Sequence, residues 1–343
     1  MSTVLGHRPA VLRFPGSSPS RAADGHVAGG VWVIWSIFKR RGQAKAGGAD
    51  AVLLSGRYLL GAVIGDGAAA RVHAATDVRS GAAVAVKLTP LPVGLSLAQR
   101  ADWLARMQRE VNVARRVAHP GIVALFDAGM DDQHAWLAME QVRGLDLSRY
   151  TQRNRQLPEP LVLDIGARIA QALAHAHRNG VVHRDLKPAN VLLDLAGGVV
   201  KLADFGVARE TEHDITRTGV TLGTPAYMAP ELLSGAAATA ASDAYALGVV
   251  LFELLTGTRP HQAETLGELL RAMASRPAAS LAQARPDLPA SVATVVDQLL
   301  RADPAQRPGD LAAWATEAAS LAAVMVRVLS RPSPIPVSPL PAG

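Results

Sequence analysis

From Arg57 onward the apolar and polar positions change period twice. RYLLGAVI (57–64), ARVHAATDV (70–78) and AAVAVKLTP (82–90) are short apolar-rich runs separated by Gly-containing turns, and they predict β-strands. Over 98–118 the apolar residues shift to steps of three and four, with Leu104, Met107, Val111 and Ala114 on one side, which predicts a helix. Strand-like runs return over 119–142, and beyond Gly144 the pattern is mainly helical, as in PLVLDIGARIAQALAHAHRNG (160–180) and SDAYALGVVLFELLTGTRP (242–260). A β-rich first part followed by an α-rich second part predicts an α+β chain of two lobes, with a cleft near the crossing at 139–144.

The flanks read differently. The first 26 residues are rich in Pro, Gly, Ser and Arg without a periodic pattern, and they predict disorder. VAGGVWVIWSIF (27–38) is apolar but falls short of the roughly 20 residues a membrane-spanning helix needs, and the KRR after it leaves an interfacial anchor on anionic lipid open, across 27–41. The end, SRPSPIPVSPLPAG (330–343), is Pro-rich with nothing to bury. The expected organisation is a basic extension at 1–56, a main domain at 57–312 divided near 140, and a helix with a Pro-rich tail at 313–343.

Composition narrows the function. About half of the 343 residues are apolar, enough for a sizeable core, and the formal charge is +6. Residues 1–57 hold eight basic and two acidic side chains, so they carry the whole excess and the rest is neutral overall. That removes the basic field a nucleic-acid partner would want. With no cysteine, disulfides, thiolate metal sites and thiol nucleophiles are excluded. Only five lysines occur, at 39, 45, 87, 187 and 201, against thirty arginines. In such a chain a lysine can mark a place that needs a compact point charge rather than a planar fork.

IGDGAAARV (64–72) is ambiguous by itself: two close glycines bare backbone N–H groups for an anion, yet Gly-x-Gly also occurs in hairpins. HRDLKPAN (183–190) adds an acid, a lysine and an amide at steps of two and three, and DFG (204–206) follows nineteen residues after Asp185. An enzyme handling a metal-bound polyphosphate needs hard oxygen ligands, a positive charge on the moving phosphoryl group and an acceptor for the nucleophile's proton. These residues, with VAVK ending at Lys87, supply all three.

In this set, over about 57–310, the chain resembles the eukaryotic-like Ser/Thr protein kinases, above all their bacterial (Hanks-type) members. The resemblance implies a bilobal protein-kinase fold, with a β-rich N-lobe carrying one main helix and an α-rich C-lobe. It implies that Asp185 accepts or orients the substrate hydroxyl proton and that Lys187 neutralises the transferring γ-phosphoryl group. Asn190 and Asp204 would hold Mg2+, with Mn2+ as an alternative. Lys87 would bind the α and β phosphates of ATP while paired to a helix glutamate, for which Glu110 is the matching position. Ile64, Gly65, Asp66, Gly67, Ala68, Ala69, Ala70, Arg71 and Val72 would form the lid over the phosphates, with Ala70 where the family has its third glycine. Met139 matches the gatekeeper, Glu140 and Val142 the hinge, and Val72, Ala85 and Leu192 the apolar walls.

The lysine after the aspartate and the GTPAYMAPE stretch (223–231), with Thr224, match the Ser/Thr form and imply protein substrates with Ser or Thr acceptors. Glu231 is expected to pair with Arg307, and Asp243 to brace the catalytic loop. DITRTGVTLGT (214–224) resembles the activation loop of bacterial kinases, with Thr216 and Thr218 as expected autophosphorylation sites and Arg184 as the phosphate's partner. A cytoplasmic location follows, with peripheral contact at the inner membrane face as the variant that 27–41 allows. Members of the family form homodimers through the N-lobe, an option the resemblance extends to this chain. The rival from another class is a pseudokinase acting as a nucleotide-dependent scaffold; a small-molecule phosphotransferase is the third reading.

Overall fold

The computed structural model describes residues 10–12, 52–67, 70–205 and 225–329, with residues 10–12, Arg106, Glu110 and Leu329 described by their backbone alone. Strands β1 (Ala10–Leu12), β2 (Leu53–Leu54), β3 (Tyr58–Asp66), β4 (Arg71–Asp77), β5 (Ala83–Pro90), β6 (Leu125–Met130) and β7 (His134–Glu140) form one antiparallel sheet in the order β1-β6-β7-β5-β4-β3-β2. Its register places Val72 opposite Lys87, Lys87 opposite Leu137 and Ala85 opposite Met139. Because cross-strand partners share a face and neighbours along a strand alternate, Val72, Ala85, Lys87 and Met139 lie on one side of the sheet. Val84, Val86, Trp136 and Ala138 lie on the other, fully buried with Tyr58 and Ala75 in a small core of their own. The alternation in VAVK thus divides the work, its valines holding the sheet and its Ala85 and Lys87 facing the cleft.

Helix α1 (Leu97–Arg116) starts at a reciprocal cap in which Ser96 and Gln99 satisfy each other's backbone N–H groups. Its Met107 and Val111 pack against Ala128, Met130 and Ala135, with Leu137 beside them, so α1 covers the sheet face that also carries Lys87. One departure from the expected disorder at 1–26 is β1, whose backbone pairs with Ala128–Met130 at the open edge of β6. An edge strand offers unpaired N–H and C=O groups to any extended segment, whatever its periodicity, so hydrophobic patterning gives no notice of it.

The second lobe is helical. Helix α2 (Glu159–Arg178) packs against α3 (Ala240–Thr256), and α3 is buried nearly all round, as its almost continuous apolar sequence demands. The approach is close enough that a Cβ on Gly166 would meet Leu251 at 2.8 Å. Helix α4 (Leu311–Leu329) runs along α2, with Leu311, Trp314, Ala315 and Ala318 in the same core and the Trp314 Nε1–H donating to Val295 O at 2.9 Å. It therefore crosses the boundary expected after 312. Among the described residues this is the one helix whose length and hydropathy would suit a membrane span, over Leu311–Val328.

A three-stranded sheet, β8 (Leu145–Asp146), β9 (Val191–Asp194) and β10 (Val199–Leu202), sits at the junction of the lobes. Leu202 N–H donates to Gly121 O and Val123 N–H to Leu202 O, each at 2.8 Å, so the loop leading out of α1 is stitched to β10. Arg307 is fully buried and Glu231 partly so; their pair is two-pronged, at 2.6 and 2.8 Å, and Arg307 also donates to the carbonyls of Arg301, Ala241 and Ala302. With every donor direction occupied, the cost of desolvating the two charges is met by hydrogen bonds.

Candidate active site

The catalytic loop is fixed from beneath by one carboxylate. Asp243, near the start of α3 and 2% exposed, accepts from the backbone N–H of His183 (2.7 Å), the backbone N–H of Arg184 (3.0 Å) and the His177 ring (2.8 Å). Arg184 is held at φ 66°, a left-handed conformation that costs a non-glycine residue about 1–3 kcal/mol. Hydrogen bonds to a charged acceptor contribute about 1.5–3 kcal/mol each, enough to hold the turn. The brace expected of Asp243 is therefore present, and its third partner, His177, comes from α2.

His183 is fully buried and its tautomer follows from its neighbours. Asp185 N–H donates to Nδ1 at 3.3 Å, so the proton sits on Nε2, which donates to Ala203 O at 3.2 Å. Burial lowers the pKa of this ring, in keeping with a neutral imidazole. Its face meets the Phe205 ring at 4.6 Å between centroids. One side chain thus ties the catalytic loop to the segment carrying Asp204.

Around Asp185 the expected group assembles. Lys187 Nζ lies 2.8 Å from Asp185 Oδ2, and Asn190 Nδ2 donates to Asp185 O at 2.8 Å and to Oδ2 at 3.1 Å. With its amide N–H atoms so engaged, Asn190 keeps its side-chain oxygen as the atom suited to a cation. Asp204, also left-handed at φ 55°, takes the ammonium of Lys87 on both oxygens at 2.8 Å. The resemblance assigned Lys87 to Glu110; the partner seen here is Asp204, and the Glu110 side chain lies outside the described residues. Among those residues no cluster of three or more His, Cys, Asp or Glu could hold a metal by itself. A Mg2+ ion bound through phosphates and waters needs only one or two protein oxygens, and Asn190 with Asp204 fits that demand.

Of the lid expected over 64–72, the described residues are the end of β3, Gly67, Ala70 and the start of β4. Gly65 pairs with Val72 and Asp66 with Arg71, and Gly67 N–H donates to Ala70 O at 3.0 Å. Ala68 and Ala69 lie outside the described residues. Neither Gly65 nor Gly67 has a positive φ, and a Cβ at either would meet only ordinary contacts, so neither is demanded by a left-handed turn. At the back of the cleft, Met139 faces Ala85 across the sheet, Leu192 pairs with Lys201 and Asp146, and among the described residues the N–H of Val142 has no backbone partner. Glu140 directs its carboxylate away from the hinge backbone, to Lys201 at 2.7 Å and Ala124 N–H at 3.2 Å. Thr216, Thr218 and Thr224 lie outside the described residues.

Sequence reasoning missed His177, His183 and Lys201. His177 and Asp243 are 66 positions apart and no motif joins them. Lys201 did carry a signal, since it is one of only five lysines in the chain.

A two-lobed cleft with a hinge at its back, a glycine-containing segment above and an Asp–Lys–Asn loop below defines a phosphoryl-transfer enzyme. The protein kinase domain model matches residues 58–320. The chain is 37% identical over 255 residues to the serine/threonine-protein kinase PrkC of Bacillus subtilis and 38% identical over 270 residues to the serine/threonine-protein kinase PkaA of Streptomyces coelicolor, each match covering 74% of this chain. These matches take in 39% and 48% of the two relatives, so the chain spans less than half of their length. The crystal structure of the Mycobacterium tuberculosis PknI kinase domain superposes with a TM-score of 0.61 at 31% identity, covering 80% of this chain and 99% of that one. The chain belongs to the protein kinase family, in its bacterial, eukaryotic-like Ser/Thr branch.

Proposed function

We propose that this chain is an active protein Ser/Thr kinase that transfers the γ-phosphoryl group of ATP to Ser or Thr hydroxyls of proteins, its own activation loop included. The observation that carries this reading is the single network joining Asp185, Lys187 and Asn190, braced by Asp243 and linked through His183 to the Asp204 segment. A pseudokinase has no need to keep this set assembled.

Asp185 takes the proton of the attacking hydroxyl as that oxygen bonds to the γ-phosphorus and the bond to the ADP oxygen breaks. Lys187, held 2.8 Å from the same carboxylate, neutralises charge on the transferring group. Asn190 and Asp204 are the residues that would hold Mg2+, with Mn2+ suited to the same hard oxygens, and the ion supplies charge neutralisation across the phosphates. Lys87 and Asp204 neutralise each other in the structure; with nucleotide in the cleft, one faces phosphate and the other cation. The Val142 N–H and the hinge carbonyls meet the adenine edge, between the apolar side chains of Val72, Ala85, Met139 and Leu192.

The test is incubation of the full chain and of Asp185→Asn with labelled Mg-ATP and a generic protein substrate, followed by phosphosite mapping. Label on Ser and Thr, falling by about 10²–10⁴ in the variant, is expected from loss of a general base. Nucleotide binding with no difference in label between the two proteins would leave the scaffold reading standing. The same mapping checks Thr216 and Thr218, where a phosphate carrying about −1.5 to −2 charges would dock on Arg184. For location, a cytoplasmic kinase domain is the reading to test, with vesicle binding by 27–41 as the check on a peripheral membrane contact.

A further inference from the structure

Lys201 is the third lysine near the cleft and the only one the phosphate chemistry does not use. Its side chain is 14% exposed, and its Nζ lies 2.7 Å from Glu140 Oε2. The same carboxylate oxygen accepts from Ala124 N–H at 3.2 Å, while Glu140 N–H donates to Ala124 O at 2.8 Å. Three parts of the chain therefore meet at one ion pair: the hinge residue Glu140, the loop leading out of α1, and β10, which runs three residues on into Asp204. The backbone bonds of Leu202 with Gly121 and Val123 reinforce the last two. The hinge itself is joined to β10 by the side chains of Glu140 and Lys201.

His119 does not supply this charge in place of Lys201. His119, which lies close enough to feel the charge of Lys201, is held below its usual pKa by burial and by the nearby His175, Arg178 and Lys201, so it is neutral near pH 7. Its Nδ1 accepts from Gly121 N–H at 2.9 Å and its ring packs on His175 at 4.9 Å, contacts that occupy it in the same loop. Lysine brings a compact ammonium to Glu140, where arginine would bring a planar fork.

We propose that Lys201 is a positioning residue for the nucleotide: through Glu140 it fixes the hinge relative to the strand that delivers Asp204, so that adenine and phosphates are met in register. This rests on the kinase reading above and goes beyond it in assigning a residue that touches neither nucleotide nor substrate. Misplacing groups by as little as 1 Å can cost a binding or reacting geometry orders of magnitude.

The experiment uses the full chain as wild type, Lys201→Met, Glu140→Gln and the double variant. A fluorescent ADP analogue is titrated without a phosphate acceptor, and KM for ATP and kcat are measured with one. The expected result for Lys201→Met is a Kd for ADP and a KM for ATP raised about tenfold, with kcat at saturating ATP within about threefold of wild type. Glu140→Gln, which keeps a hydrogen-bond acceptor, shifts less, and the double variant matches Lys201→Met instead of adding to it. A merely structural lysine would lower Tm and the active fraction while leaving Kd unchanged in the protein that remains folded. Kd and KM within twofold of wild type in folded Lys201→Met, or tighter binding, would overturn the proposal. Wild type that binds ADP but transfers no phosphate would instead sink the kinase reading and leave the Kd comparison to decide the role of Lys201.

Discussion

The catalytic loop that carries Asp185 is braced from beneath by residues remote in sequence, whereas the glycine-rich segment above the cleft is held mostly by its own neighbours. Asp243 reaches the catalytic loop from α3 and is 2% exposed, with His177 of α2 on the same carboxylate. Among its described residues the lid has one turn hydrogen bond, from Gly67 to Ala70, and an Asp66–Arg71 pair at 3.3 Å whose side chains are 64% and 67% exposed. An exposed pair of that kind contributes about 0–1 kcal/mol and is screened by salt. The contrast suits the two tasks. Charge development at the γ-phosphate is stabilised best by groups already in place, while a lid must move for nucleotide to enter and leave.

That contrast can be broken from the rigid side first. Replacing the fully buried Arg307 with Met leaves the partly buried Glu231 without its partner, and a loss of about 3 kcal/mol is expected. Thermal unfolding reads it as a large drop in Tm, and a Tm near wild type would show that the C-lobe frame does not depend on this pair. Asp243→Ala removes the acceptor for two backbone N–H groups and frees Arg184 from its left-handed turn. We expect kcat to fall about 10²-fold while the Kd for ADP stays close to wild type, since Asp243 braces the catalytic loop and not the hinge.

A smaller effect sharpens the same comparison within the N-lobe, which has a rigid corner of its own. Arg57 lies 2.8 Å from both Asp77 and Asp127, and the Tyr58 hydroxyl donates to Asp127 at 2.9 Å. Hydrogen bonds from Arg57 hold the Asp77 carboxyl down to about 2, below the 3.8 of an unperturbed group. A carboxylate with a depressed folded-state pKa stabilises above its unfolded pKa and loses that contribution as pH falls through the folded one. The Tm gap between wild type and Asp77→Asn should thus be constant above about pH 5 and close between pH 3.8 and about 2. A gap that persisted to the acid end would mean that the ionised form is not what matters.

The smallest effect is expected in the lid. Ala70→Gly restores the family's third glycine in a turn already closed by Gly67, and kcat/KM for ATP should change by no more than about threefold. A rise of orders of magnitude would mean that the Ala70 methyl obstructs the phosphates.

How much of this was legible depends on the range of the interaction. The β-rich and α-rich parts follow from local periodicity. Asp185, Lys187, Asn190 and Asp204 were legible because their chemistry is packed into two short motifs. Strand β1 was not, because edge pairing uses backbone groups that every sequence offers. The continuity of α4 with the C-lobe core was also hidden, since an apolar helix reads alike whether it joins a domain, follows one or crosses a membrane.

The sequence by itself determined which chemical groups the protein has for phosphoryl transfer, and in what order: hard oxygens, two point charges and a proton acceptor, in a chain without thiols. Tertiary structure decided which partner each one keeps. Lys87 meets Asp204 across 117 positions, His183 is neutral because it is buried between Asp185 N–H and Ala203 O, and Lys201 reaches Glu140 across the hinge. The physical reason is that residue type fixes what a group can donate or accept. Burial and the approach of distant segments fix the dielectric, the geometry and the competing partners, and no local pattern records these.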